Sequence, residues 1–233
     1  MIYDNTIFNA DCFEVMKNIK DKVFDVAFTS PPYNRIRNDT YEHFDDIAEN
    51  YYDMLCTLTN ELLRITKKDV IINIQQNHFN KVDFFKWLGF FAEKIKGVIV
   101  WEKTNPQPAT NLKDETFSVT NAIEYFIVFS NNPNEFRANN KIKNIITTSV
   151  NSEHFEGHGA VMKLSVADFF INNFTKRDDL FFDPFMGMGT TAVSCKKQKR
   201  KYCGCEISEI YKNDAEKRIN AMPLEFDFET ELF

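Results

Sequence analysis

Apolar residues recur along the chain with two alternating periods. The stretch 51–65 places Met54, Leu55, Leu58, Leu62 and Ile65 on one side of a helix, the spacing of an amphipathic surface helix. Cys12, Val15, Met16 and Ile19 repeat the pattern over 12–19; 79–88, 161–174 and 210–219 read as further helices, with Gly89 closing the third, and 187–197 reads as a loop running into a helix. Between them lie short continuous apolar runs at 24–29, 70–74, 98–101, 125–129, 180–183 and 202–206, the signature of strands buried on both faces. Residues 7–10 form an edge strand or a lead-in. Strands alternating with helices predict an α/β fold, a doubly wound, mostly parallel sheet with helices on both faces. Residues 131–157 are rich in Asn, Thr and Ser and lack a period, which marks them as an insertion within one domain spanning 1–233.

Length and composition narrow this picture. A chain of 233 residues fits one such domain. Gly is scarce at 7 residues against 24 Phe, so a glycine retained beside a strand has a backbone reason. No stretch approaches the apolar run a membrane span needs, and the N-terminus has no secretory pattern. Five cysteines without framework spacing suggest reduced thiols and a cytoplasmic location, and the paired spacings of a zinc site are absent, so no metal is expected. A net charge of −6 argues against a protein that coats nucleic acid nonspecifically, though not against one with a local basic surface.

Two segments carry chemistry. Asp183-Pro184-Phe185-Met186-Gly187-Met188-Gly189-Thr190-Thr191 follows a buried strand and opens a helix. Its glycines allow a sharp turn and close approach to a ligand. Glu206 ends the next strand, where an acidic side chain can hold two ribose hydroxyls. A nucleoside-containing cofactor fits this combination, and taken alone it also fits the dinucleotide of an NAD-dependent oxidoreductase. The second segment, Ser30-Pro31-Pro32-Tyr33-Asn34, leaves the carboxyl end of another strand. Its prolines stiffen the turn, the Ser30 hydroxyl and Pro31 carbonyl offer acceptors to an amino group, and Tyr33 offers a face on which a base can stack. The oxidoreductase reading leaves this turn without a role.

Together the two segments resemble the amino-group DNA methyltransferases of restriction–modification systems, whose catalytic signature is Asp/Asn/Ser-Pro-Pro-Tyr/Phe/Trp. The catalytic turn precedes the cofactor loop, which is the β-class order. The resemblance implies a Rossmann-like methyltransferase fold with a small target-recognition insertion at 131–157. It implies S-adenosylmethionine held by Asp11, Asp183, Phe185, Gly187, Gly189, Thr190, Thr191 and Glu206, and a flipped-out base held by Ser30, Pro31, Pro32 and Tyr33. Asn9-Ala10-Asp11 resembles the acidic motif that meets the adenine ring, and His158-Gly159-Ala160 a His-Pro-Ala stretch in which Gly159 departs from proline. Serine at the first catalytic position points to cytosine N4, with adenine N6 the alternative. The implied partners are double-stranded DNA, a second copy of the chain, and a cognate endonuclease or sister methyltransferase.

The basic residues divide into two groups. Lys196, Lys197, Lys199, Arg200 and Lys201 fall at the end of the helix after the cofactor loop and read as a solvated helix end. Arg35, Arg37, Lys103, Lys113, Arg137, Lys141 and Lys143 fall on loops expected near the site and are the expected DNA contacts. His43, His78 and His154 have no ligand spacing.

Overall fold

The computed structural model describes residues 3–34, 50–106, 119–133, 136–150 and 161–222. Among these residues eight strands form one sheet in the order β1-β8-β7-β2-β3-β5-β4-β6. In chain order the elements are β1 (Thr6–Asn9), α1 (Cys12–Lys17), β2 (Val26–Thr29), α2 (Tyr51–Ile65), β3 (Asp69–Ile74), α3 (Lys81–Phe90), β4 (Ile95–Lys103), β5 (Ile123–Ser130), β6 (Ile145–Thr148), α4 (Leu164–Phe174), β7 (Leu180–Asp183), α5 (Thr190–Lys197), β8 (Lys201–Glu206) and α6 (Glu209–Ala221). β5 runs antiparallel to β3 and β4, and every other pairing is parallel.

Strand alternation divides the apolar residues between two cores. Val26, Phe28, Ile71, Phe126 and Val128 point to the face covered by α4, α5 and α6. Ala27, Val70, Ile72, Ile127, Phe129 and Phe182 point to the other, covered by α1, α2 and α3. The helical stripe of α2 is buried there through Leu55, Leu58, Leu62 and Ile65. Phe170 of α4 lies 5.2 Å from Phe28 and 4.3 Å from Phe126, ring centre to ring centre, and so seats that helix on the sheet.

The expected elements are present, with differences that have local causes. α3 does not stop at Gly89 but runs through it to Phe90. The backbone N–H of buried Phe91 caps it on the Trp87 and Gly89 carbonyls, and the Phe91 ring packs edge-on against Phe129. Within 131–157, a strand (β6) pairs with the outer edge of β4, although its residues show no strand period.

β2 and β7 are neighbours, and the chain leaves them in opposite directions: from β2 through α2 to β3, from β7 through α5 to β8. Their junction is a topological switch point, where open α/β sheets bind ligands beyond the carboxyl ends of the strands.

Candidate active site

The carboxyl ends of β1, β8, β7 and β2 carry Asp11, Glu206, Asp183 and Ser30 respectively, in adjacent positions along one edge. Asp183 ties the two chemical segments together. Its carboxylate accepts from the Thr29 hydroxyl at the end of β2 (2.7 Å), from the Thr191 hydroxyl in the first turn of α5 (2.7 Å) and from the Phe185 N–H (3.1 Å). Burial pushes its pKa up to about 6; the bonds from Thr191, Thr29 and Phe185 pull it down, and the Glu206 charge adds to the rise. Asp183 is thus a brace between catalytic turn and cofactor loop, because its oxygens are turned into protein.

The loop after Asp183 coils tightly. Gly187 and Gly189 have φ of 51° and 74°, where glycine carries no steric penalty. A Cβ on Gly189 would lie 2.9 Å from that of Ala215 in α6. Glu206 accepts from the Gly187 N–H (2.8 Å) and the Ser208 N–H (2.9 Å), and burial raises its pKa. Arg218 of α6 donates to the Met188 carbonyl (3.1 Å) and the Thr190 hydroxyl (2.9 Å), closing the loop from behind. At the end of β1, Asp11 caps α1 through the N–H groups of Phe13 and Glu14 with one oxygen, leaving the other without a partner among the described residues.

The catalytic turn is held just as closely. The Pro32 carbonyl accepts from the Tyr51 hydroxyl (2.8 Å), and the Tyr33 carbonyl from Asn77 (2.9 Å) and Asn80 (2.8 Å). The Pro31 carbonyl accepts no hydrogen bond among the described residues, and Ser30 is half-buried beside it. The Ser30 hydroxyl lies 2.9 Å from the Tyr33 hydroxyl and 3.2 Å from Asn73 Oδ1. The Tyr33 hydroxyl also reaches Asn73 Oδ1 and, at 3.0 Å, Glu124 Oε2. Sequence reading missed Thr29, Asn73, Asn77, Asn80, Tyr51 and Glu124 as members of this hydrogen-bond network. One signal was present: Asn73 interrupts an otherwise apolar buried strand, and such a residue needs a partner.

The basic residues are distributed differently from expectation. β4 and β6 run parallel to β3, so residues preceding β6 lie at the amino-terminal edge, opposite the site. There Phe136 stacks on Phe174, and Asn139 donates to the carbonyls of Asn172 and Thr175. Arg137, Lys141 and Lys143 line a cleft of this far edge, away from the catalytic turn. Lys103 does lie at the carboxyl edge, but its ammonium is largely covered and paired with Glu124 rather than presented on an open surface. Arg35, Arg37, Lys113, His43, His154 and the stretch 158–160 fall outside the described residues. Within the 196–201 run, Lys196 caps α6 at the Ile219 carbonyl, Lys197 pairs with Asp168, Arg200 binds Thr175 and Lys201 pairs with Asp4, while Lys197 and Lys201 stay solvated. Replacing Arg137, Lys141 and Lys143 together by Ala is therefore expected to change DNA affinity by less than about threefold, the scale of a loss of net charge without a lost contact. Fluorescence anisotropy at fixed salt checks this; a fall of tenfold or more would put DNA on the far edge.

Known proteins share the fold and much of the sequence span. A profile of the DNA methylase family, the N6/N4 group, matches residues 24–217. The chain belongs to that family. It is 28% identical to the type II methyltransferase M.HinfI of Haemophilus influenzae, over 92% of this chain and 68% of that protein. It is 27% identical to the type II beta methyltransferase M.BslI of a Bacillus species, over 88% of this chain but 26% of that protein, so it spans about a quarter of that relative's length. The fold is shared with the solved PvuII DNA methyltransferase (cytosine-N4-specific), with a TM-score of 0.77 at 15% identity, covering 96% of this chain and 88% of that one.

S-adenosylmethionine is the methyl donor of this DNA methyltransferase. The residues fit it. Two left-handed glycines open the loop to close approach, Glu206 sits at the strand end with its oxygens fixed by backbone N–H groups, and three carboxylates (Asp11, Asp183 and Glu206) suit a cationic ligand. Among the described residues no cluster could hold a metal ion.

Proposed function

We propose that the chain transfers a methyl group to the exocyclic N4 of cytosine in double-stranded DNA, acting on a base rotated out of the helix. The observation that carries this reading is Ser30. A neutral hydroxyl, not a carboxylate, stands first in the turn, beside a Pro31 carbonyl that accepts no hydrogen bond among the described residues. The exocyclic amine is a weak nucleophile because its lone pair is delocalised into the ring. Acceptors on its hydrogens localise that pair, and the Ser30 oxygen and Pro31 carbonyl are placed to do so. When bound, the cofactor supplies an electrophilic methyl group. The chain's contribution is to hold amine and donor in line across the β2–β7 junction, where orientation is worth many orders of magnitude in rate. The PvuII neighbour supports the choice of N4. Digesting methylated DNA to nucleosides and identifying them by mass spectrometry is expected to yield N4-methylcytosine; N6-methyladenine alone would move the acceptor to adenine and leave the fold and cofactor assignments in place.

In this reading Ser30, Pro31, Pro32 and Tyr33 handle the base, and Asp11, Phe185, Gly187, Gly189, Thr190, Thr191 and Glu206 surround the cofactor, with Asp183 bracing both. Of the 131–157 insertion expected to choose the target, the part before β6 lies at the far edge, so target recognition falls to 149–157 with the loop 34–46, whose described flanks lie at the carboxyl edge, and Arg35, Arg37 and Lys113 make phosphate contacts. The relatives' type II designation supports a place in a restriction–modification system with an endonuclease or sister methyltransferase. A homodimer is supported by Val82, Phe85 and Phe90, exposed together on α3 at 56%, 64% and 65%. Five free cysteines and the lack, among the described residues, of a helix able to cross a membrane support a cytoplasmic site of action.

A further inference from the structure

Behind the catalytic turn lies an ion pair that neither the cofactor loop nor the signature residues account for. Lys103, the last residue of β4, pairs with Glu124 of β5, and their side chains are 12% and 7% exposed. The ammonium also lies 5.3 Å from the centre of the Trp101 ring. Burying two charges is costly, and a buried pair is weak evidence for stability. What distinguishes this one is its second contact: Glu124 Oε2 receives the Tyr33 hydroxyl at 3.0 Å, and Tyr33 in turn touches the Ser30 hydroxyl at 2.9 Å.

The protons in this group can be counted. Ser30 and Tyr33 have one hydroxyl proton each. The inward partners, Asn73 Oδ1 and the Glu124 carboxylate, can only accept. Asn73 is fixed in that sense because its Nδ2 donates to the Tyr125 carbonyl at 3.3 Å, leaving Oδ1 toward the two hydroxyls. Tyr33 gives its proton to that pair of acceptors, so its oxygen is open to Ser30. The Ser30 proton is drawn inward, to Tyr33 or to Asn73 Oδ1, and the Ser30 lone pairs face outward. A Ser30 hydroxyl turned the other way would donate to the amine nitrogen and occupy the lone pair that must attack.

We propose that Glu124, held by Lys103, is a positioning residue for methyl transfer: through Tyr33 it sets the direction of the Ser30 proton and makes that hydroxyl an acceptor for the target amine. The β4–β5 hairpin thereby gains a part in the chemistry, and a serine does the accepting that a carboxylate performs without orientation. The proposal rests on the reading of the Ser30 turn as the amine site.

The test is a mutant cycle in the full chain, under single-turnover conditions with saturating S-adenosylmethionine, following transfer of a radiolabelled methyl group to DNA. Glu124→Gln places an amide where the carboxylate accepts. It is expected to slow transfer about tenfold, the scale of one lost oriented hydrogen bond, with the dissociation constant for S-adenosylmethionine within about twofold. In a Ser30→Ala background, slower in itself but readable with the label, Glu124→Gln is expected to cost less than about twofold, because the group it orients is gone. Tyr33→Phe removes only the linking hydroxyl and should show the same dependence on Ser30. It keeps the test decisive if Glu124→Gln, which strands the Lys103 charge, fails to fold. Equal losses with and without Ser30, or no loss in either background, would overturn the proposal. A wild-type chain that methylates no base would instead remove the amine-site reading on which it rests.

Discussion

Gly204→Ala is expected to destroy cofactor binding and to destabilise the fold by about 1–3 kcal/mol, the usual cost of forcing a methyl group into a packed site. Gly204 lies in the middle of β8, paired with Asp183 of β7. A Cβ there would fall 2.5 Å from the Asp183 carbonyl oxygen and run into Met186 Cε. The methionine tip can move, but the carbonyl belongs to the backbone at the start of the cofactor loop and cannot yield without displacing the loop. Residues on either side are buried cysteines, so β8 has no slack to shift instead. Calorimetric titration with S-adenosylmethionine, together with urea unfolding, checks both halves. Tight binding by a stably folded Gly204→Ala protein would show that the loop tolerates a different course.

Asp183 should have the second large effect, with a dependence on pH. Asp183→Ala leaves the Thr29 and Thr191 hydroxyls and the Phe185 N–H without their acceptor, at a cost of about 2–4 kcal/mol, and unties the cofactor loop from β2. Asp183→Asn keeps most of the bonding and removes the charge. The folded pKa of about 6 lies above the ordinary 3.8, so the folded protein retains a proton that the unfolded chain has already released. The stability this contributes is fully present below pH 3.8 and is lost as pH rises through about 6. Between pH 5 and pH 8 the wild-type protein should therefore lose on the order of 1 kcal/mol relative to Asp183→Asn in urea unfolding. Glu206, whose pKa is also raised, is coupled to Asp183 through its charge, so the difference between the two proteins reports the pair. Parallel stability curves for the two proteins would mean that Asp183 titrates in the fold as it does in water. The affinity of Asp183→Asn for S-adenosylmethionine then reports what the charge itself contributes to a cationic ligand.

The elements were legible because each has a strong period. β2, β3 and β7 are short, mainly apolar runs, β3 broken only by Asn73, bounded by prolines or polar residues, and α2 has the same ends in sequence and structure. Where pattern was weak, the reading failed for a physical reason. Ile145–Thr148 has two apolar residues, and pairing with the β4 edge, not its own composition, makes it a strand. Gly89 resembles a helix stop, yet it has φ compatible with helix and the buried Phe91 anchor carries the turn past it. Arg137, Lys141 and Lys143 lie in a loop whose position depends on strand direction: the antiparallel β5 sets β4 and β6 so that this loop meets the far edge.

The sequence by itself determined the chemistry that local segments carry. Ser30-Pro31-Pro32-Tyr33 stiffens its own turn, and Gly187 and Gly189 give their loop a course other residues resist, because both depend on covalent geometry within a few residues. Only the tertiary structure decided which distant groups complete the site. Thr29 meets Asp183 across 154 positions of chain, Tyr33 meets Glu124 across 91, and Lys103 turns from a DNA contact into a buried counter-charge. Such contacts carry no local signature, because a buried polar side chain is specified by what it must be paired with, and the pairing exists only once strand order brings the partners to the same edge.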